Sequence, residues 1–575
     1  MKITVLSAAL AALVVAGAAR ADEPVHYAVT PVLEGGDLTA LAVEMRFAGD
    51  GDGETRLVLP DEWGGKRELY RHLDSLSVEG AQAREDGAAA RILTHAPGAA
   101  ITVRYRVRNG YDGDPKVGDT EGNPYRPIVR PQWFSAIGQG VFASPGGDSR
   151  RAATFEWGTL PAGWKAASDL DHLVTRGVGT VYDVQQSVLI GGAELATYER
   201  QVAGAPLRFA VLGDWTFDAD GFGGLAAQVI EAQRAYWRSP GEPYFIAVTP
   251  LVPQNNWISV GGTGLDDGFS IYGGTDTPLE PLRYLLAHEH LHTWTPARLG
   301  DMPQGAEQPA VYWFSEGMTD FLTHRTLLRS GVWSLEEFTA RVNEELLAYW
   351  TSPFRDEPNS VVAEKFWSDA QAQKIPYRRG MALALLWDWR LKQATNGRRD
   401  LDDVFTSQMK REQEIRARGE APMAHTLFPV VYRELGGGEL ANDLERFVER
   451  GGAVMLPESL FGDCARIETV RRPAFHRGWD AEATTAADNV VTGLRDDSPA
   501  YAAGLRNGMQ IVRREFGEVG NSTVEYGLRI TENGQERIIR FMPVAPGEQV
   551  FQRIVLTEGM SPARQATCAK RMSGS

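Results

Sequence analysis

The chain has 575 residues, more than a single hydrophobic core usually supports, so we expect several domains. Its 75 acidic and 59 basic residues give a formal net charge of −16, and the basic residues form no long cluster. This balance argues against nucleic acid or an anionic membrane surface as a partner.

The first residues are typical of a secretory signal peptide. Lys2 precedes an apolar run over residues 5–17 and the cleavage pattern Ala19-Arg20-Ala21. The run is too short to span a membrane, and no later segment reaches about 18 uninterrupted apolar residues. We therefore expect residues 1–21 to be removed and the mature protein to be secreted, into the periplasm of a Gram-negative cell, without stable membrane insertion.

Residues 22–203 carry short alternating runs. Residues 41–47 and 101–107 alternate apolar and polar side chains, and a glycine- and aspartate-rich turn follows the first run at residues 49–53. Alternation with period two indicates antiparallel strands with one buried face. We predict a β-rich N-terminal domain here, followed over residues 204–460 by longer helical patterns such as residues 222–236.

The segment His288-Glu289-His290-Leu291-His292 carries the chemistry of a zinc site. Residues four apart share one face of a helix, so His288 and His292 can bind one metal ion. Glu289 lies beside the first ligand, where it can take a proton from water held at the metal. His290 lies about 200° around the helix from each ligand, so we expect a packing or solvent role for it.

The flanking residues predict the ends of this helix. Thr277-Pro278-Leu279-Glu280 is a capping-box pattern with proline at the first helical position. Pro296 predicts an end near Trp294 or Thr295, because the residue before a proline disfavours the helical conformation.

A third ligand is expected further along the chain. Glu316 lies in an aromatic run, where an unpaired carboxylate would be costly to bury unless a metal bound it. Asp320 follows four residues later, on the same face of a helix, where it can accept a hydrogen bond from a ligand histidine. A plainer alternative is that Ser315 caps a helix whose start the two acids favour. Capping and ligation are compatible.

The zinc motif, together with the run Trp313-Phe314-Ser315-Glu316-Gly317-Met318-Thr319-Asp320, resembles the glycyl aminopeptidase family of gluzincin metallopeptidases. The resemblance extends over nearly the whole mature chain. It implies a multidomain α+β fold with a β-rich N-terminal domain (22–203), a thermolysin-like, mainly helical catalytic domain (204–460) and a C-terminal PDZ-like domain with a tail (461–575). It also implies one Zn²⁺ ion and peptide substrates.

Two further segments take roles from this resemblance. Tyr377, in Ile375-Pro376-Tyr377-Arg378-Arg379-Gly380, is similar to a tyrosine whose phenol donates a hydrogen bond to the oxyanion of the tetrahedral intermediate. The alternative is an ordinary aromatic residue ahead of a helix predicted at residues 381–391.

The second segment departs from the family pattern. Gly264-Leu265-Asp266-Asp267 stands where the family usually has Gly-Leu-Glu-His, an edge strand that pairs with substrate backbone and whose glutamate contacts the substrate amine. Asp266 would replace the glutamate with a side chain one methylene shorter, and Asp267 would replace the histidine. The alternative is a glycine-rich turn capped by the aspartates.

The C-terminal residues contain both cysteines of the chain, Cys464 and Cys568. In an oxidising compartment this pair suggests a disulfide between the entry of the last domain and the tail. The run from Asp497 to Ile511 resembles a PDZ core, with Met509 in place of the usual aspartate. Ser498-Pro499 predicts the start of a short helix, Gly504 its end, and Gln510 the start of a strand.

A peptide carboxylate would be received near Arg477-Gly478-Trp479, although a purely structural PDZ-like domain fits the sequence equally well.

Three functions follow from these observations. The favoured one is a secreted zinc aminopeptidase that removes N-terminal, possibly small (Gly or Ala), residues from peptides. The departure at Asp266 and Asp267 also permits a zinc endopeptidase. The third is a non-catalytic, chaperone-like protein whose PDZ-like domain binds peptides. Glu289 and Tyr377 count against it, because a structural zinc site needs neither residue.

Overall fold

The computed structural model describes residues 23–116, 125–146, 149–172, 177–253, 260–265, 267–303, 305–532 and 534–574. The predicted signal peptide and Asp266 lie outside these residues.

The N-terminal region is built from strands, as the alternating patterns predicted. Residues 41–47 lie in the strand Asp37–Ala48 and residues 101–107 in the strand Ala100–Val107. These two strands are antiparallel neighbours, with Met45 opposite Val103. Their inward side chains are buried in a core that also takes Tyr27, because alternate residues of each strand face the same side of the sheet.

Three sheets make up this region. In sheet order, the six-stranded sheet comprises Gly179–Thr180, Ala152–Trp157, Val25–Glu34, Asp37–Ala48, Ala100–Val107 and Leu73–Glu79. One four-stranded sheet comprises Ser144–Pro145, Glu54–Val58, Ala90–Thr94 and Gln82–Glu85, and the other comprises Lys165–Ser168, Val188–Gly192, Trp133–Ile137 and Ile128–Arg130. A short helix, Val181–Gln185, begins at the capping residue Thr180.

A five-stranded sheet begins the catalytic region. Its order is Ala196–Val202, Ala205–Val211, Tyr244–Leu251, Gly268–Gly274 and Val260–Gly264. The strand Ala196–Val202 precedes the boundary predicted at residue 203 and pairs antiparallel with Ala205–Val211, which follows it. We call the edge strand Val260–Gly264 the glycine strand.

Helices pack against one face of this sheet and against one another. They are Ala219–Trp237, Leu279–Leu291, Tyr312–Arg329, Leu335–Thr351, Asn359–Lys365, Ala370–Ala394, Leu401–Arg416 and Ala424–Glu434, with helical turns at Gly305–Val311, Ala441–Asp443 and Leu444–Glu449. Three of them carry predicted site residues. We call these the ligand helix (Leu279–Leu291), the glutamate helix (Tyr312–Arg329) and the tyrosine helix (Ala370–Ala394).

The C-terminal residues divide between two cores. The long antiparallel strands Ala465–Phe475 and Val544–Leu556 and the last helix, Pro562–Met572, contribute Ile467, Ile554 and Cys568 to the core of the helical region. The core of the helical region therefore includes side chains that follow residue 460 in the sequence. A smaller core lies between, built from the strands Gln510–Phe516, Tyr526–Glu532 and Gln535–Phe541 and the short helices Ala481–Ala486 and Pro499–Ala502.

Several local predictions for this end of the chain are confirmed. Cys464 and Cys568 form a disulfide, with their Cα atoms 5.4 Å apart. Ser498 caps the short helix by accepting a hydrogen bond from the Tyr501 amide, and a strand begins at Gln510. Among the described residues, no helix combines the length and apolarity needed to cross a bilayer.

Candidate metal centre

The ligand helix brings the zinc motif to the floor of the site. Leu282, Leu286 and Leu291 bury one side of this helix in the core, which fixes its rotation. The helix begins at Leu279, one residue later than predicted, with Pro278 at the N-cap, so Thr277 is too early to cap it. It ends at Leu291 rather than near Trp294, but the Thr295 amide still donates to the Leu291 carbonyl, so the helical turn continues past His292.

His290 has the packing role that the helix geometry predicted. Its Nδ1 lies 2.7 Å from Oε1 of Gln233, and its ring packs edge-on against Tyr244 and Trp294. It is buried on the side of the helix opposite to the two ligand histidines.

The glutamate helix lies across the ligand helix and is buried along most of its length. Its residues Glu316 and Asp320 face the histidines from one side, as their spacing predicted. Ser315 lies inside the helix rather than at its cap, because the helix starts at Tyr312. Its position therefore does not support the plainer reading in which Ser315 caps the helix and the acids favour its start.

Three ligand atoms meet at the spacing that a tetrahedral metal requires. Nε2 of His288 lies 3.3 Å from Nε2 of His292 and 3.3 Å from Oε2 of Glu316. The remaining distance, from Nε2 of His292 to Oε2 of Glu316, is 3.6 Å. Ligand atoms about 2.0–2.1 Å from a tetrahedral zinc ion lie about 3.3 Å from one another. The donor set and its spacing therefore fit one zinc ion with a fourth position left open.

The two imidazoles are held from behind, so that their Nε2 atoms face one another. Nδ1 of His288 lies 2.9 Å from Oδ1 of Asp320, and Nδ1 of His292 donates to the Thr295 carbonyl at 2.8 Å. Oδ1 of Asp320 also accepts a hydrogen bond from the Tyr284 hydroxyl, and the Tyr284 ring stacks on His288. Such contacts fix the tautomer of a ligand histidine with its lone pair toward the metal.

The charges of the centre favour a bound cation. Burial disfavours the charged form of His288, but hydrogen bonds to Asp320 and Glu316 outweigh it and raise the pKa of His288 to about 10. Burial opposes ionisation of Glu316 as well, yet the two histidines hold the pKa of its carboxyl well below the ordinary value. The negative charges of Glu316 and Asp320 are thus balanced by protons on the imidazoles. A divalent metal ion would replace those protons.

Tyr377 lies beside the histidines on the tyrosine helix. This helix begins at Ala370, earlier than predicted, and so includes Tyr377. The ring of Tyr377 stacks 5.9 Å from that of His288. Burial, and then the nearby carboxylates of Glu316, Asp320 and Glu289, raise the pKa of the phenol well above its usual value. Tyr377 therefore stays protonated and can donate a hydrogen bond.

Two glycines allow the glutamate and tyrosine helices to approach closely. A Cβ on Gly317 would lie 2.4 Å from Cα of Gly380, and a Cβ on Gly380 would lie 1.9 Å from the Trp313 carbonyl oxygen. These glycines are next to Glu316 and three residues after Tyr377, so the close crossing sets how far the two side chains lie apart. Glycine is unfavourable inside a helix, so a glycine within each strongly helical pattern could have suggested a close helix crossing from the sequence.

The glycine strand lies directly over Glu289. A Cβ on Gly264 would lie 2.9 Å from the Glu289 carbonyl oxygen and 3.1 Å from its Oε2, and one on Gly262 would lie 3.3 Å from its Cγ. Of the segment predicted to be an edge strand, Gly264 ends the edge strand Val260–Gly264, whereas Leu265 and Asp267 lie outside it. Gly264 thus borders the centre, whereas Leu265 is buried in a cluster with Ile137 and Phe245.

The two aspartates after this strand have different outcomes. Asp266 lies outside the described residues. Oδ2 of Asp267 lies 3.2 Å from Nε2 of His172, a residue of the N-terminal region. His172 is therefore one partner of the Asp267 carboxylate, and a contact between Asp267 and a substrate remains a prediction.

Tyr284 and His172 were missed by sequence reasoning. Tyr284 lies four residues before His288, on the same helix face, so its spacing was a usable signal. His172 has no such signal, because it is distant in sequence and reaches Asp267 only through the packing of two regions.

Comparisons with known proteins agree with this centre. Residues 282–375, which include both ligand histidines and Glu316, match the M61 glycyl aminopeptidase family. An aminopeptidase N family protein from Idiomarina loihiensis has the same fold, with a TM-score of 0.65 and 14% identity over 95% of this chain and 100% of that chain.

An M1 zinc metallopeptidase from Deinococcus radiodurans, with a Tyr-Ser-Ala substrate bound, is more distant: its TM-score is 0.48, at 17% identity over 76% of this chain and 94% of that chain. No curated protein sequence matches the chain significantly. The family match over residues 282–375 and the tetrahedral donor set lead to one conclusion: this part of the chain is similar to the M61 glycyl aminopeptidases, and the chain is a zinc metallopeptidase.

Proposed function

We propose that this protein is a secreted zinc aminopeptidase that removes N-terminal residues from peptides. The observation that carries the proposal is the set of three ligand atoms, which lie within 4.8 Å of one another. Glu289 lies beside them and under an edge strand. This combination supports hydrolysis rather than a structural site, because structural zinc usually has four protein ligands.

The residues of the chain divide the chemistry between them. When bound, one zinc ion would polarise the scissile carbonyl and lower the pKa of water toward neutrality. Glu289 takes the proton of the attacking water and then delivers it to the departing amine. Tyr377 donates a hydrogen bond to the oxygen on which negative charge develops, which stabilises the transition state more than the ground state.

The glycine strand supplies the surface for the substrate backbone. Among the described strands it lies at the edge of the five-stranded sheet, the position at which an extended peptide can pair as a further strand. We propose Asp266 or Asp267 as the contact for the substrate amine; Oδ2 of Asp267 also lies 3.2 Å from Nε2 of His172. A carboxylate would then hold the free N-terminal ammonium group of the peptide. The N-terminal residue that is removed would be small, such as Gly or Ala.

Secretion and the C-terminal region complete the proposal. We keep residues 1–21 as a signal peptide and the periplasm as the compartment. The Cys464–Cys568 disulfide supports an oxidising location. We also propose that the small core at residues 479–541 is PDZ-like; its helix capped by Ser498 and its three-stranded sheet support this. Capture of a peptide C-terminus near Arg477, Gly478 and Trp479 belongs to the same proposal.

The test compares matched peptides with free and acetylated N-termini, using zinc-loaded wild type and Glu289→Gln. Glutamine preserves the packing of Glu289 under the glycine strand but cannot take a proton. We expect wild type to cleave only the free-amine peptides and Glu289→Gln to retain zinc without turnover. Equal cleavage of both peptides would establish an endopeptidase instead. Cleavage of neither by zinc-loaded wild type would favour a peptide-binding protein.

A further inference from the structure

The glutamate helix and the tyrosine helix are joined a second time, beyond their close crossing at Gly317 and Gly380. Arg325 lies eight residues after Gly317 on the glutamate helix, and Asp388 lies eight residues after Gly380 on the tyrosine helix. Both side chains are buried, and Nη1 of Arg325 donates to Oδ1 of Asp388 at 2.9 Å. Eight residues span about 12 Å of helix axis, so this ion pair joins the helices well away from the crossing.

The guanidinium of Arg325 is held by further acceptors. Nη2 donates to Oδ2 of Asp400 at 2.7 Å, and Nε donates to the Ser573 carbonyl at 2.7 Å and lies 3.1 Å from Oδ1 of Asp402. A planar guanidinium has its donors in a rigid fork, so bonds on all three nitrogens leave it one orientation. This orientation in turn fixes the place of Asp388 on the tyrosine helix.

Asp388 is ionised and bonded through both of its oxygens. Burial opposes its ionisation, but Arg325 and then Lys392 lower the pKa of its carboxyl to about 2. Nζ of Lys392 lies 2.7 Å from Oδ2, and the Leu401 amide donates to Oδ1 at 3.0 Å. The pair with Arg325 is therefore charged at neutral pH, and such charge-assisted bonds are stronger than neutral ones.

The position of this ion pair bears on the angle between the two helices. At the crossing itself, neither glycine has a side chain that could resist a rotation of one helix against the other. A second contact about 12 Å away resists it. Tyr377 lies three residues before Gly380, on the other side of the crossing from Asp388, whereas Glu316 lies next to Gly317. A change of angle would therefore move Tyr377 and leave Glu316 almost in place.

We propose that Arg325 and Asp388 are positioning residues for catalysis: their ion pair sets the angle between the glutamate and tyrosine helices and so places Tyr377 beside the metal centre. The inference rests on the proposed peptidase function. Both residues act through Tyr377 and take no part in the bond-breaking steps. Their loss should lower kcat rather than raise KM, because the Tyr377 hydrogen bond stabilises the transition state more than the ground state.

The test compares Asp388→Asn with the matched control Asp400→Asn. Each change removes one carboxylate charge from the same guanidinium, but Asp400 caps the helix Leu401–Arg416 and does not lie on the tyrosine helix. For a free-amine peptide we expect Asp388→Asn to lower kcat about tenfold, with KM and zinc content within about twofold of wild type. Asp400→Asn should keep kcat within about twofold. Equal kcat values in the two variants would overturn the proposal.

A double variant shows whether the loss passes through Tyr377. Asp388→Asn combined with Tyr377→Phe should have the kcat of Tyr377→Phe alone, because the place of a donor matters only while the donor is present. Losses that multiply would refute the positioning role. Arg325→Lys serves if Asp388→Asn does not fold, since lysine keeps the charge but not the forked donors. It should show the same non-additive loss.

Fluorine NMR provides a readout that needs no activity. Protein with 3-fluorotyrosine in place of Tyr377 reports the surroundings of this ring directly. We expect its resonance to shift in Asp388→Asn and to keep the wild-type position in Asp400→Asn. An unchanged resonance in Asp388→Asn would contradict the positioning role. A shifted resonance, together with no cleavage of peptides by zinc-loaded wild type, would overturn the proposed function alone.

Discussion

At the scale of single residues, the metal centre depends as much on the groups behind the ligands as on the ligands. His288 and His292 were evident from the sequence because a helix of 3.6 residues per turn brings positions four apart together. Glu316 was predicted as a carboxylate in an aromatic run, and Asp320 from its spacing of four residues after Glu316 on one helix face. Tyr284, which donates to Asp320 and stacks on His288, shows that the same helix face extends one turn further back.

Asp320→Asn tests the support behind His288. The amide keeps an acceptor for Tyr284 but removes the charge that holds Nδ1 of His288 at 2.9 Å. We expect zinc to bind about 10–100-fold more weakly, as is usual when such a partner of a ligand histidine is lost. Competition with a fluorescent chelator measures this. Asp220→Asn, at an exposed position on another helix, is the control, and equal zinc affinity in the two variants would contradict the role of Asp320.

Tyr377→Phe tests the proposed hydrogen bond to the oxyanion. Removing one donor of this kind typically lowers kcat by about 10²–10³-fold. We expect that loss with zinc content and KM nearly unchanged, since the ring and its stacking on His288 remain. Steady-state kinetics with a free-amine peptide decides the matter, with Tyr198→Phe, a half-exposed residue, as the control. A kcat equal to that of the control would show that Tyr377 only packs.

At the scale of elements, the helices and strands followed from periodicity, but their exact ends did not. The tyrosine helix starts 11 residues before the predicted residue 381, because Pro376 is accommodated within it rather than ahead of it. The sheet to which the strand Ala196–Val202 belongs could not be predicted from its own residues, because its hairpin partner Ala205–Val211 decides it. Close crossings such as that of Gly317 and Gly380 require the packed structure.

Gly380→Ala tests the crossing of the glutamate and tyrosine helices. The added methyl would collide with the Trp313 carbonyl oxygen and with Gly317, so the helices must separate. Overpacking of this kind costs about 1–3 kcal/mol of unfolding free energy. We expect a lower kcat as well, because Tyr377 moves relative to Glu316.

Gly224→Ala is the matched control. Gly224 lies in the helix Ala219–Trp237, and no neighbouring atom lies within 4 Å of the Cβ that alanine would add. Replacing a helical glycine there should stabilise the protein by up to about 1 kcal/mol. Urea unfolding of both variants measures the two effects. Equal stability of Gly380→Ala and Gly224→Ala would refute the close crossing.

At the scale of the whole molecule, the metal centre, the glycine strand and the N-terminal region form one packed unit. The sequence predicted a β-rich region followed by a helical one, but not the contacts between them. Ser135 and Thr249, for example, meet at 2.7 Å across the boundary in a buried hydrogen bond. Such pairs join residues more than a hundred positions apart and leave no periodic signal.

The pH dependence of stability tests this boundary through Asp169. Burial is the main cause that raises the pKa of its carboxyl to about 7, with His172 and Asp267 as the facing charged groups. The folded protein therefore keeps a proton that the unfolded chain loses near pH 4. Stability contributed by this group falls as the pH rises from about 4 to about 7, and the loss is complete above that range.

Asp169→Asn removes this dependence while an amide oxygen still accepts from Val188. The variant should be more stable than wild type at pH 8, by about 4 kcal/mol at most, and the two should converge near pH 4. Thermal unfolding across pH 4–8 gives the difference curve, with Asp220→Asn as the exposed control. Parallel curves for wild type and Asp169→Asn would mean that Asp169 is ionised in the folded protein at neutral pH.

The central claim is that His288, His292 and Glu316 hold one catalytic zinc ion, and metal analysis of purified protein tests it most directly. We predict about one zinc per chain in wild type and in Glu289→Gln, and little zinc in His292→Ala after the same dialysis. Of these three proteins, only wild type should hydrolyse a free-amine peptide. Full zinc in His292→Ala, or a loss of zinc in Glu289→Gln, would contradict the assignment of ligands and base.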